Sequence, residues 1–408
     1  MTGKRPSLSS LQDAWLAGVE REMDDVLALR RSIHASPCLS GDEEATAQLV
    51  EQALAVPLER VADTGRAGRI GPDAGPAVLV RAELDALPLA EGTDVDFAAA
   101  NGAMHACGHD VHLAALVAVC RAAQALDLPL GLVPLLQPRE ETYPSGARDA
   151  VESGLMARFE VAAAIGAHVH PAVPLGSVAT GGGVVNAAAD ELEITFEGEG
   201  GHGAYPHQSS DPVAALAHTL LLLQEVVRRH VSPMRPATIS VGHVRAGGES
   251  ANVRPSDARI LATVRTTDAT DRKIVLRELG SAVEAQAKSF GVRAHVQVTS
   301  GEPVLVNDEE LASHMDGWLD RGGVVPTEPM RSLGADDFSY LGDVVPAVMC
   351  FVGVEVPGCE VPPPLHTSRF MPSDRAVRDV ARAMVCGYLA AVERVALMPS
   401  GTGEPVDE

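Results

Sequence analysis

The residues MHACGHDVHLAALVAVCRAAQALDLPLGLVPLL, positions 104–136, carry both the architecture and the chemistry of this chain. Asp110 to Leu126 is rich in Ala, Leu and Val and long enough for a helix, with Asp110 placed to cap its start. Gly131 to Leu136 is too short for a helix and wholly apolar, as a strand buried on both faces is. Before the helix, Cys107 and His109 stand one Gly apart on a turn. On regular structure their side chains would point apart, but from a loop both can reach one ion. Thiolate and imidazole suit a soft or borderline divalent metal. A thiolate can also bridge two cations, and a helix N-terminus favours the anion. The competing readings are a buried structural Cys beside a core His, and a Cys/His nucleophile pair. His105 and His112 flank the turn and read as supporting or helix-face residues.

Outward from this stretch the same alternation continues. Trp15 to Ala35 and Glu43 to Leu54 read as amphipathic helices. Ala77 to Ala82 and Val161 to His168 read as short buried strands. Helices alternating with buried strands imply a mostly parallel sheet covered by helices, with ligands at the carboxyl ends of the strands. Glu140 and Glu141 follow one such strand and His168 closes another, so these side chains are expected on one rim.

After Gly181-Gly182-Gly183 the pattern changes. Asp190 to Glu197, Thr238 to Val244, Ala258 to Thr266 and Val292 to Thr299 read as strands. Asp211 to Arg229 and Asp271 to Phe290 read as helices, with Pro212 at the first position of the former. The order β-α-β-β-α-β is that of a ferredoxin-like split unit. The fold class is therefore α/β. A domain with a mostly parallel sheet flanked by helices, residues 1–185 and 300–408, is interrupted by an inserted ferredoxin-like domain, residues 186–299. Only the first dozen residues and the tail after Met398 read as loose ends.

Composition narrows the function classes. A net charge of −23 argues against nucleic acid and against an anionic membrane surface. Aromatic residues are only 3%, so the core must be aliphatic. Met1 to Leu11 lacks the apolar segment of a signal peptide, and no uninterrupted apolar run reaches membrane-spanning length. The cysteines at 38, 107, 120, 350, 359 and 386 show no paired spacing, as reduced thiols in the cytoplasm would.

The remaining candidate residues extend the metal reading. Glu140 and Glu141 sit in Gln137-Pro138-Arg139-Glu140-Glu141, after an apolar strand where exposed charge is unexpected. Adjacent residues there cannot both aim at one ion, so one can bind metal while the other moves a proton. His168 lies in Gly166-Ala167-His168-Val169. His366 follows Pro362-Pro363-Pro364 on a stiff loop. One Cys, three His and one Glu suffice for two metal ions, with one Glu left over, the inventory of metal-assisted hydrolysis. His202, between glycines in Gly200-Gly201-His202-Gly203, and Asn252, before a strand, are candidates for contact with a ligand.

Taken in order, Met-His-Ala-Cys-Gly-His-Asp, Gln-Pro-x-Glu-Glu, Gly-x-His-Val, Gly-Gly-His-Gly-Ala-x-Pro-His, Asn-Val-x-Pro and Leu-His-x-x-Arg-Phe resemble the motifs of metal-dependent amidohydrolases. That group includes hippurate hydrolases, bacterial N-acyl-amino-acid hydrolases (aminoacylases) and plant auxin-conjugate hydrolases. The resemblance runs from about residue 25 to about residue 390. It implies a catalytic domain and an inserted lid through which such proteins form homodimers. It implies two divalent ions held by Cys107, His109, Glu141, His168 and His366, with the thiolate bridging. Zn is expected first, with Mn, Co or Ni as alternatives that availability decides. Glu140 matches the general acid/base, and Asp85 matches a catalytic residue near the metals. His202 and Asn252 match lid residues, the His reaching a partner's active site to stabilise an oxyanion. The expected substrate is a small N-acyl amino acid or related N-acyl amine. A dipeptidase or carboxypeptidase, and a non-catalytic small-molecule-binding relative, are the alternatives. The chain departs from the family at three places, one of them the segment after Phe370, which is less acidic than usual. Glu83 stands where the family has Asp. Thr142-Tyr143-Pro144-Ser145 replaces a run of Gly after the Glu pair, which makes Tyr143 a candidate substrate contact.

Overall fold

The computed structural model describes residues 7–397, and the chain divides into two compact units. The first unit holds the chain up to Val185, Val306–Met330 and the chain from Tyr340. At the centre of its sheet, Ala77–Glu83 lies between Gly131–Gln137 and Val161–His170 and runs parallel to both. Val161–His170 also pairs in parallel with Ala347–Gly353. These strands are buried along nearly their whole length. Covered on both faces, they need apolar residues at every position, which is why they read as runs rather than alternations.

The centre of the sheet is parallel, and its edges make the sheet as a whole mixed. Leu58–Val61 and Gly65–Gly68 add an antiparallel hairpin at one edge. At the other edge Ser177–Ala179 runs antiparallel to Ala347–Gly353, with Val325–Pro326 parallel beyond it. These edge strands are two to four residues long, too short to carry a period.

Helices Leu8–Ala35, His109–Ala123 and Arg375–Leu397 share one aliphatic core against this sheet. Trp15 is fully buried there; its Nε1–H donates to the Val119 carbonyl at 2.9 Å and its ring meets Tyr388 edge-on. The first helix begins at Leu8, capped by the Ser7 hydroxyl accepting from the Ser10 N–H. Residues 8–12 are therefore helical rather than loose, while residues 1–6 and the tail after Met398 lie outside the described residues. Asp110 does not cap the helix it was expected to start. Gly108 takes that place, and the Asp110 carboxylate, in the first turn, accepts from Arg30 and His34. Among the described residues no helix is long and apolar enough to cross a membrane.

The second unit comprises Asn186–Leu305 and Arg331–Ser339. It reaches past residue 299 and takes in a segment that the sequence reading places in the first domain. Its elements run Ala188–Glu197, Pro212–His230, Ala237–Ala246, Asp257–Thr266, Ala269–Lys288, Arg293–Ser300. The four long strands form an antiparallel sheet in the order Ala237–Ala246, Asp257–Thr266, Ala188–Glu197, Arg293–Ser300. Alternate residues such as Leu192, Ile194 and Phe196 bury against the two helices, so one face is apolar and the pattern reads with period 2. Asp211 and Asp268 cap those helices through their carboxylates.

Candidate metal centre

The site of the first unit lies where the parallel strands end. Glu83 and Gln137 stand in register at the carboxyl ends of their strands. From there the chain continues into Asp85 and into Glu140-Glu141, while His168 lies near the end of Val161–His170. Gly108 makes the turn carrying Cys107 and His109 possible. Its φ is +84°, and a Cβ there would come within 2.4 Å of Val169 Cγ2. His366 arrives on a loop tied down by its own N–H, which donates to the Ala106 carbonyl at 2.9 Å.

These elements bring the candidate donors together. Cys107 Sγ is 3.4 Å from His168 Nε2 and 3.3 Å from His366 Nε2. His366 Nε2 is also 3.4 Å from Glu141 Oε1. His109 Nε2 lies 3.8 Å from Glu140 Oε2 and 4.0 Å from Glu141 Oε1. Cys107, Glu141 and His366 form one group whose donor atoms lie within 4.8 Å of one another; His109, Glu140 and Glu141 form a second. Glu141 belongs to both groups.

The residues fit metal ions on three counts. His109 Nε2 and Glu141 Oε1 are buried with no hydrogen-bond partner, an arrangement that is unfavourable unless something else satisfies them. The far nitrogens of two rings are already committed: His109 Nδ1–H donates to the Asp85 carbonyl at 2.8 Å and His168 Nδ1–H to the Val169 carbonyl at 2.7 Å. That leaves Nε2 of each as the ligating atom. The electrostatics also call for positive charge. Burial alone would lower the His109 pKa, but Glu83, Asp85 and Glu141 outweigh it and push it up to about 10. Burial, with the Glu141, Glu140 and Glu83 charges, holds the Cys107 thiol well above its usual value.

Without metal, then, both groups carry protons at neutral pH that a divalent cation must displace. Metal uptake at pH 7 is expected to release protons, and affinity to rise with pH toward about 10, where His109 gives up its own. Calorimetry in buffers of different ionisation heat measures this. Uptake without proton release would contradict it.

Two residues that the sequence reading left at the margin support the donors. Glu83 Oε2 accepts from His112 Nδ1–H at 2.9 Å, and His112 Nε2 accepts the Val169 N–H at 3.0 Å. The Val169 carbonyl in turn accepts from His168. Arg81 holds the other Glu83 oxygen at 2.5 Å. Burial opposes the Glu83 charge, but Arg81, His112 and His109 keep its pKa well below the usual carboxylate value. The signal was present in the sequence: Arg81 and Glu83 are two apart in an apolar strand, hence on one face. Glu83→Gln removes the charge that orients His112 and is expected to weaken metal binding by about 10- to 100-fold. Chelator competition reads this; unchanged affinity would make Glu83 a packing residue only.

Asp85 is fully buried, and its Oδ2 accepts the Ser40 hydroxyl at 2.7 Å and the Glu141 N–H at 3.0 Å. It touches the donors through His109 and the Glu141 backbone. Tyr143 lies in the loop after the Glu pair and is partly exposed. His105 is buried and is not among the clustered donors.

His202 and Asn252 lie in the second unit. There Gly201–His202 pairs antiparallel with Val253–Arg254, and the Gly203 N–H donates to the Asn252 carbonyl at 2.7 Å. The Ala204 N–H donates to His202 Nδ1 at 3.1 Å, so the neutral ring carries its proton on Nε2 as a donor.

Residues 79–387 match the family model described as Peptidase family M20/M25/M40. The chain is 31% identical over 377 residues to N-acetyldiaminopimelate deacetylase of Shouchella clausii (strain KSM-K16), covering 91% of this chain and 99% of that one. It is 36% identical over 300 residues to N-acyl-L-amino acid amidohydrolase of Geobacillus stearothermophilus, covering 72% and 80%. Among solved structures, a dinuclear metal binding peptidase of the M20 family from Bacillus subtilis superposes with a TM-score of 0.77 at 27% identity, covering 92% and 99%.

Proposed function

The chain belongs to peptidase family M20/M25/M40, and from that premise we propose how its own residues perform the hydrolysis of an N-acyl amide. The enzyme is a metal-dependent amidohydrolase. Cys107, His109, Glu141, His168 and His366 would hold two divalent ions, Zn before Mn, Co or Ni, with the Cys107 thiolate available to both. When bound, the ions supply Lewis acidity that polarises a carbonyl and acidifies water. Glu140 accepts a proton from the attacking water at its carboxylate and returns it to the leaving nitrogen, so one side chain serves both steps. Asp85, expected among the catalytic residues, acts as a positioning residue, holding His109 by its carbonyl and the Glu141 backbone by its carboxylate.

The second unit is read as a ferredoxin-like lid and dimerisation domain. In a homodimer, His202 donates its Nε2–H to the oxyanion in the partner's site, and Asn252 contacts the substrate. The substrate is a small N-acyl amino acid or related N-acyl amine of the cytoplasm, with Tyr143 among its contacts.

The observation that carries this reading is Cys107 Sγ lying within 3.4 Å of both His168 and His366 Nε2, with an unpartnered His109 Nε2 facing two adjacent glutamates. Amine release from a panel of N-acyl amino acids and dipeptides tests it. N-acyl amino acids are expected to be cleaved faster. Preference for dipeptides would move the reading to a dipeptidase, and no release from any member, with metal bound, to a binding protein. Mixing a His202→Ala chain with a Glu140→Gln chain is expected to restore activity absent from both parents. No restoration, with subunit exchange verified, would place His202 outside the partner's site.

A further inference from the structure

The position between Pro138 and Glu140 holds an arginine. Arg139 adopts a left-handed backbone, φ +48°, a conformation that a residue with a Cβ takes only when its surroundings hold it there. Its surroundings are built for this. Its N–H donates at 2.9 Å to Glu43, a fully buried carboxylate that also accepts the Gly41 N–H at 2.7 Å and the Thr64 hydroxyl at 2.7 Å. Its carbonyl accepts the Gly146 N–H at 3.1 Å. Gly146 must be glycine, since a Cβ there would stand 1.7 Å from the Pro138 carbonyl oxygen.

The side chain closes the same loop from within. Arg139 Nε donates to the Pro144 carbonyl at 3.2 Å, while its two terminal nitrogens pair with Asp63, at 2.6 Å, and with Asp149. The guanidinium is largely buried. Residues 140–145 thus form a ring fastened at its base by Arg139 O to Gly146 N and across its width by Arg139 Nε to Pro144 O. That ring carries Glu140, Glu141 and Tyr143. A planar fork donates from three separate nitrogens in fixed directions and so holds two carboxylates and a carbonyl at once; an ammonium, whose donors leave from one atom, does not reproduce that spread.

We propose that Arg139 is a positioning residue for the Glu140–Glu141 pair, clamping the loop that presents the proton carrier, a metal ligand and Tyr143. This rests on the reading of Glu140 and Glu141 given above. The left-handed turn swings the chain after Pro138 so that both glutamates come to the rim, and the guanidinium keeps a loop without the family's glycine run from relaxing away. Loss of the clamp therefore loosens Glu141 against the metals and Glu140 against the substrate together, and leaves Cys107 and His109 in place.

The test compares wild type, Arg139→Ala, Arg139→Lys and Asp149→Asn by amide hydrogen exchange, chelator competition and steady-state kinetics. In Arg139→Ala, exchange across residues 140–146 is expected to rise while residues 107–112 stay protected. Metal affinity and kcat are each expected to fall by about 10- to 100-fold. Arg139→Lys should recover only part of both, and Asp149→Asn, which keeps the arginine, should lie between. Wild-type exchange at 140–146 with wild-type metal affinity in Arg139→Ala, whatever its thermal stability, would overturn the proposal. Should Arg139→Ala fail to fold, the same comparison is made on Asp149→Asn. A wild-type enzyme that cleaves no N-acyl amide would defeat the functional reading alone, because exchange and metal affinity judge the clamp without turnover.

Discussion

Glu140→Gln is expected to lower kcat by about 10²- to 10⁴-fold while both metal ions stay bound. The side chain is mostly buried beside His109, with Oε2 at 3.8 Å from its Nε2, so the isosteric amide fits without moving the loop. Gln cannot take a proton from water or give one to the leaving nitrogen, and that exchange is the whole of the assigned role. The measurement pairs kcat with metal content. Loss of an ion together with turnover would make Glu140 a ligand. Near-normal turnover would remove it from the mechanism.

Cys107→Ser is expected to lose at least one metal ion on dialysis and, with it, turnover. Cys107 Sγ stands between two imidazole nitrogens, 3.4 Å from His168 and 3.3 Å from His366. A Ser hydroxyl is shorter, harder and far less acidic, so it does not replace a thiolate shared by two soft or borderline cations. The variant also separates two chemistries. If Cys107 were the nucleophile, Cys107→Ser would keep both ions and lose turnover. Retention of both ions and of turnover would dismiss the thiolate from either role. The same variant, once metal-depleted, is expected to bind Zn with less proton release than wild type, since one of the displaced protons belongs to the Cys107 thiol.

Much of this was legible in the sequence because the central elements are regular and the donors sit where regular elements end. The strands Ala77–Glu83, Gly131–Gln137 and Val161–His170 announce themselves as aliphatic runs, and the second unit announces itself by its change of period. The edge strands did not, because Gly65–Gly68 and Ser177–Ala179 are too short to show one. Asp110 was misread as a cap because a carboxylate at a helix start is usually drawn to backbone N–H groups. Here Arg30, about eighty residues earlier in the chain, competes and wins by charge. Long-range partners of this kind leave no local pattern. The same holds for Arg139: its neighbours in sequence do not name its partners, because Glu43, Asp63 and Asp149 reach it from three separate segments. His112 reads in the sequence as a supporting or helix-face residue, and in the structure it donates to Glu83 and accepts from Val169. Its tie to His168, passing through the N–H and the carbonyl of Val169, becomes visible only when a strand and a helix are assembled.

The most direct test of the account is a titration of metal-free enzyme with Zn or Mn, following bound metal and amine release from an N-acyl amino acid in the same samples. The account requires turnover to be absent in chelated protein, to rise as metal binds and to level off at two ions per chain. Full turnover in the presence of chelator, with no metal bound, would contradict it.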